Sequence, residues 1–143
     1  MFFGTYFHTL DNKGRIVIPS KLRAEAGRLV YILKGFDGAL SIYKENEFDD
    51  LVKEIESLPF NKKNSRDYLR IQLASACQLE VDQQGRVQLP AHLLAKYGIS
   101  KEVIIIGVGD HMEVWDKTTY EQYEKKVEQD FEKIAENLES HDL

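Results

Sequence analysis

One cysteine, three prolines and one tryptophan stand among 143 residues, and each scarcity removes a class of protein. A lone Cys77 excludes an internal disulfide, which fits a reducing cytoplasm. Its place between small residues and a strand-like run reads as a buried, inert thiol. Uninterrupted apolar stretches such as Val103–Ile106 are far below the roughly 20 residues that cross a bilayer. The opening MFFGTYFH has neither the basic start nor the long apolar core of a secretory signal. His8, His92, His111 and His141 fall at no metal-ligand spacing and share no motif with Cys77. Gly107-Val108-Gly109 matches neither a phosphate loop nor a dinucleotide fingerprint. The expectation is a protein without catalysis, metal, cofactor, small-molecule substrate or membrane span.

Positive charge is also in deficit, with a net charge of −5, which argues superficially against a nucleic-acid partner. Its distribution argues otherwise. Residues 1–44 hold seven Lys/Arg against three Asp/Glu, and residues 59–70 hold four against one. Acidity is concentrated in residues 45–58, with six acidic groups against one basic, and in residues 116–143, with nine against four. Screening confines charge effects to about 10 Å, so a basic face can bind phosphate on an acidic protein.

What the chain does have is a repeat. Asp11-Asn12-Lys13-Gly14-Arg15-Ile16-Val17-Ile18-Pro19 aligns with Asp82-Gln83-Gln84-Gly85-Arg86-Val87-Gln88-Leu89-Pro90 at an offset of 71. Leu22, Ala24 and Gly27 fall on Leu93, Ala95 and Gly98. After one inserted residue, Gly35, Leu40, Ile42, Tyr43 and Phe48 fall on Gly107, Met112, Val114, Trp115 and Tyr120. The spacing predicts a tandem duplication: a first repeat over 1–58, a linker helix over 59–75, and a second repeat with C-terminal helix over 76–143.

Each copy reads alike. A strand (Phe7–Leu10, Gln78–Val81) meets a glycine turn and a second strand that ends in proline. A short helix follows, Ser20–Ala26 or Ala91–Tyr97, stopping at glycine. Next comes a hairpin, Leu29–Leu33 with Ala39–Tyr43 and Glu102–Ile106 with His111–Trp115. Gly35-Phe36-Asp37-Gly38 and Gly107-Val108-Gly109-Asp110 supply the turns. A helix closes each copy. Phe48, Leu51, Val52 and Ile55 form one apolar stripe, with Asn46 and Asp49 as candidate caps. In the second copy a Thr118/Glu121 capping box opens a stripe of Tyr120, Tyr123, Val127, Phe131, Ile134 and Leu138. A helix over Thr119–Glu139 spans roughly 30 Å, suited either to covering its own barrel or to meeting a partner.

The Asp-x-x-Gly-Arg turn is the candidate site. Asp11 and Asp82 can bond their own backbone two residues on, and Gly14 and Gly85 can take positive φ. Arg15 and Arg86 then stand at a rigid loop–strand junction, the placement that bidentate contact with bases or phosphates needs. The residues leave a second reading open, in which each arginine simply pairs with its aspartate across the turn. Lys13, Lys21, Arg23 and Arg28 surround the first copy and suit phosphates. Gln84, His92 and Leu94 stand where the first copy has Lys13, Lys21 and Arg23. That asymmetry predicts that Arg15→Ala weakens binding more than Arg86→Ala.

MFFGTYFHTLDNKGRIVIPSKLR together with VDQQGRVQLPAHLLAKYGI resembles the MraZ family of bacterial regulators, built from two domains like those of AbrB-type transition-state regulators. The resemblance covers essentially the whole chain. It implies an α+β fold: a tandem-duplicated AbrB-like swapped-hairpin β-barrel with short helices and a long C-terminal helix. It also implies a homo-oligomeric ring, association with the nucleoid, and binding of double-stranded DNA at repeated promoter boxes. Carried over by position, the implied functional residues are Asp11, Lys13 and Arg15 with Asp82 and Arg86. The rival expectation is an interaction module that recruits a partner through the C-terminal helix.

Overall fold

A computed structural model describes residues 1–138 of the chain. The elements follow the repeat. The first copy runs β1 (Phe2–Thr9), β2 (Arg15–Val17), α1 (Ser20–Ala26), β3 (Leu29–Lys34), β4 (Leu40–Lys44) and α2 (Glu45–Glu56). After α3 (Lys63–Ser75), the order recurs as β5 (Cys77–Glu80), β6 (Arg86–Gln88), α4 (Ala91–Lys96), β7 (Glu102–Gly109), β8 (His111–Asp116) and α5 (Lys117–Gln129). A last helix, α6, covers Phe131–Asn137. Among the described residues no helix is long and apolar enough to cross a membrane.

The two copies are interleaved. Six strands form one antiparallel sheet in the order β1-β7-β8-β4-β3-β5, so each copy's first strand lies beside the other copy's hairpin. The two hairpins join where Leu40, Ser41 and Ile42 face Val114, Glu113 and Met112. Repeat-equivalent residues therefore cross about the Ser41–Glu113 pair. β2 and β6 form a separate two-stranded ribbon whose central pair, Ile16 with Val87, is also repeat-equivalent. One pseudo-twofold relation thus runs through sheet and ribbon. The expectation of a closed barrel is corrected to an open six-stranded sheet edged by β1 and β5, with the ribbon packed against it.

One core serves both copies. Ile16, Ile18, Leu22, Val30, Ile32 and Leu40 from the first meet Val87, Leu89, Leu93, Val103, Ile105 and Val114 from the second, all at most 4% exposed. At about 1.5–3 kcal/mol per fully buried aliphatic side chain, a single copy would expose most of what holds it together. On the opposite face, α2 packs on β3 and β4, α3 on β3, and α5 on β7 and β8. Tyr31 stacks on Phe48 at 4.1 Å between ring centroids, and Trp115 meets Tyr120 and Tyr123 at 5.3 and 4.9 Å. α3 is tied to β3 by Gln72 Nε2 donating to the Lys34 carbonyl and by Ser75 Oγ accepting the Lys34 N–H, both at 3.0 Å.

Several local expectations change. β7 continues to Gly109, so Gly107 and Val108 are strand rather than turn; the bend falls at Asp110, entered through Gly109 at φ 102°. Helix α2 starts at Glu45 with Lys44 in the capping position, so Asn46 and Asp49 lie inside it. Helix α5 starts at Lys117 after Asp116, which places Thr118 past the cap and leaves the capping box unformed. The long C-terminal helix is broken at Asp130, where φ −102° and ψ 9° depart from helical geometry. Tyr120 and Tyr123 anchor α5 on Trp115; beyond them Phe131 is 67% exposed and has no sheet beneath it. Asp130 is a poor helix former at the point where that support ends. Glu139, the expected helix end, and His141 lie outside the described residues.

Candidate nucleic-acid interface

The two Asp-x-x-Gly-Arg turns are built identically. Asp11 Oδ1 accepts the backbone N–H groups of Lys13 and Arg15, each at 2.9 Å, and Gly14 N–H returns to the Asp11 carbonyl at 3.0 Å. Asp82 Oδ1 accepts from Gln84 and Arg86 at 2.9 and 2.8 Å, with Gly85 N–H to the Asp82 carbonyl at 2.9 Å. Gly14 and Gly85 sit at φ 74° and 78°, where a side chain is strained. Each aspartate therefore makes the turn, and its second oxygen holds the arginine. Asp11 Oδ2 accepts from Arg15 Nε at 2.6 Å, and Asp82 Oδ2 from Arg86 Nε at 2.8 Å.

Of the two readings left open by the sequence, the pairing across the turn is the one seen, and it uses only one of each arginine's nitrogens. The carboxylate takes Nε, and among the described residues the terminal Nη groups of Arg15 and Arg86 have no hydrogen-bond partner. Each guanidinium is oriented by one edge and free on another. The side chains are 29% and 32% exposed.

The turns are also fixed to one another. Gly85 accepts the Ile18 N–H at 2.8 Å and Gly14 accepts the Leu89 N–H at 3.0 Å, so each turn's glycine carbonyl receives a bond from the other copy. Ile16 and Val87 point into the core, so Arg15 and Arg86, one residue away on either strand, face outward. Arg15 opposes Gln88 and Arg86 opposes Val17. The two arginines are thus offset by two residues, about 7 Å along the ribbon.

The remaining candidates divide between two grooves. Arg15, Arg23, Asp82 and Arg86 line one, together with Arg28 and Glu80. Asp11 and Lys13 line the other, together with Leu94 and Lys101. Lys21 is exposed on α1 and lines neither. Arg23 and Arg28, grouped by sequence with the first copy, thus stand beside the second turn, in the groove that Arg15 also lines. Strand exchange carries α1 across to the second turn, and an added Cβ at Gly85 would run into the Arg23 guanidinium, whereas one at Gly14 would meet Leu94. Lys101, absent from the sequence reading, reaches the first turn because β1 pairs with β7 and the Leu10 N–H donates to the Lys101 carbonyl at 2.8 Å. No local motif marks it.

Both aspartates ionise below the usual carboxylate range, chiefly because the backbone N–H of Arg15 or Arg86 donates to them. A carboxyl whose folded value is depressed contributes stability above its unfolded value, near pH 4, and loses it as pH falls through the folded value. The turns are therefore expected to stay intact from pH 5 to 8 and to loosen only below about pH 4. Amide exchange at Gln84 and Arg86 should show this: Asp82→Asn, which keeps an acceptor oxygen, protects both amides better than Asp82→Ala. Equal exchange in the two variants would count against the turn being built by the side chain.

The family model described as "MraZ protein, putative antitoxin-like" matches twice, over residues 1–71 and 73–141, one match per copy. The chain belongs to the MraZ family. The "Transcriptional regulator MraZ" of Caldanaerobacter subterraneus subsp. tengcongensis is 41% identical over 143 residues, with all of both chains covered. That of a Thermoanaerobacter species is 41% identical over 138 residues, 96% of each chain. That of Lactobacillus helveticus is 38% identical over the full length of both. These relatives carry the name of a regulator and not of an enzyme. Among the described residues of this MraZ-family chain, no group of three or more His, Cys, Asp or Glu is placed to hold a metal ion.

Proposed function

We propose that this MraZ-family chain is a sequence-specific DNA-binding regulator of transcription that reads repeated promoter boxes through its two Asp-x-x-Gly-Arg turns. The observation that carries the reading is the paired arginines, each oriented through Nε by its own aspartate and offering free Nη donors from one shared ribbon. A guanidinium preset in this way suits bidentate donation to a guanine edge. The offset of about 7 Å along the ribbon is close to two base-pair steps at 3.4 Å each. Two-stranded ribbons fit the major groove. Lys13 and Lys101 beside one turn, and Lys21 on α1, are suited to phosphates.

Repeats 1–58 and 76–143, joined by 59–75, act in this reading as one binding unit. Several such units in a homo-oligomeric ring supply avidity for repeated boxes through effective concentration. The aromatic and aliphatic residues left exposed on β1 and α6, Phe3, Phe7, Phe131 and Ile134, are consistent with contacts between copies. The working location is the cytoplasm, on the nucleoid.

A mobility shift with DNA from upstream of the chain's own gene tests the function. Sequence-specific, salt-sensitive retardation is expected; its absence favours the interaction module. Sedimentation tests the ring, and a monomer that binds one promoter tightly would remove it.

A further inference from the structure

Around the second turn, four guanidinium groups meet two carboxylates. Arg15, Arg23, Arg28 and Arg86 line a groove of about 850 Å³ that also includes Glu80 and Asp82. Asp82 is already occupied, accepting from two backbone amides and from Arg86 Nε. Among the described residues, neither Arg23 nor Arg28 has a carboxylate within ion-pair distance, while Arg15 and Arg86 do. The groove therefore carries uncompensated positive charge beside a turn whose own sequence is poor in it.

Both unpaired arginines belong to the first copy and are held against the second. Arg23 Nε donates to the Ile18 carbonyl at 3.2 Å, and its guanidinium lies across Gly85. The Arg28 carbonyl accepts the Val81 N–H at 2.9 Å, which fixes its backbone to the start of the second turn. Burial first and the Arg23 charge second hold the His8 imidazole below its usual value. Rigid placement reduces the entropy lost when a guanidinium takes a ligand. The volume is many times that of one phosphate and suits a length of sugar-phosphate backbone.

We propose that this groove receives the DNA backbone beside the base step read by Arg86, with Arg23 and Arg28 of the first copy pairing its phosphates on behalf of the second turn. The inference rests on the nucleic-acid reading and adds to it a site made by strand exchange, which neither copy possesses alone.

The test is the salt dependence of binding to the upstream DNA, measured for the full chain and for Arg23→Leu, Arg28→Gln and the double variant. Leucine at position 23 copies the packing of Leu94 over Gly14, and Arg28 is exposed, so folding is expected to survive; melting curves check this. Each lost phosphate contact should flatten the log–log slope by about one unit, and the double variant should bind roughly tenfold more weakly at 0.15 M salt. Arg23→Lys should keep the slope. A double variant with the parent's slope overturns the inference while leaving the regulator reading intact. If inorganic pyrophosphate then raises the melting temperature of the parent but not of the double variant, the groove takes a small phosphate ligand instead. No retardation by the parent chain overturns both readings.

Discussion

Replacing Arg15 and Arg86 together by alanine is expected to weaken binding to the promoter box at least about thirtyfold, with little change in melting temperature. Each bidentate base contact is worth about 1–3 kcal/mol, and about 1.4 kcal/mol is tenfold in affinity. The small stability cost follows from exposure: the Asp–Arg pairs sit near the surface, where such pairs contribute little, and the aspartates keep their backbone donors. A lysine pair at the same positions separates charge from geometry. It should retain the salt dependence yet lose discrimination between the box and a scrambled duplex, because lysine lacks the planar fork. Anisotropy titrations against both duplexes measure this, and an alanine pair that holds its affinity for the box within twofold would sink the reading.

The single variants carry a revised expectation. Charge counted along the sequence ranks Arg15 above Arg86, since the first copy holds Lys13, Lys21 and Arg23. In the fold, Arg23 and Arg28 lie by the second turn, and the first has Lys13 with Lys101 from the second copy. The basic neighbours are shared out, so Arg15→Ala and Arg86→Ala are expected to lose binding to a similar extent. Within this scheme the turn supplies specificity and its neighbours supply phosphate affinity, and apart from Lys13 those neighbours come from the opposite copy.

What was legible in the sequence was whatever depends on short spacing. The Asp-x-x-Gly-Arg turns, the helix Ser20–Ala26 ending at a positive-φ glycine, and the alternation of Val87 and Leu89 with exposed neighbours are local patterns with local causes. The partner of each strand was not legible. β1 could in principle pair with its own copy's hairpin or with the other's, and the residues at those positions are equivalent by duplication. Nothing in a repeat states which equivalent a strand will choose. For that reason no local spacing states that Arg23 stands by the second turn or Lys101 by the first. The break at Asp130 was hidden for a different reason: the stripe from Tyr120 to Leu138 keeps helical spacing throughout, while the sheet that it could rest on ends near Tyr123.

Strand exchange also sets the largest expected effect on stability. Gly4 of β1 opposes Gly107 of β7, and a Cβ added at Gly107 would overlap the Phe3 backbone nitrogen and lie 2.5 Å from the Phe2 carbonyl carbon. These are backbone atoms, with no flexible side-chain end to yield. Gly107→Ala must then either strain the strand or expel β1, which takes the fully buried Phe2 with it. The cost is about 3–5 kcal/mol, roughly 10 °C or more in melting temperature for a chain of this size. Gly109→Ala is the control: nothing lies within 4 Å of its added Cβ, and at φ +102° it incurs only left-handed strain of about 1–2 kcal/mol. Amide exchange should locate the damage, with β1 protection lost in Gly107→Ala and β3 protection retained. Because the Leu10 N–H is held by the Lys101 carbonyl at the start of the first turn, releasing β1 also frees one side of that turn. The variant should therefore lose promoter binding along with stability, although residue 107 lines neither groove. A Gly107→Ala protein that melts within 2 °C of the parent with β1 still protected would show that this pairing is not what holds the first turn in place.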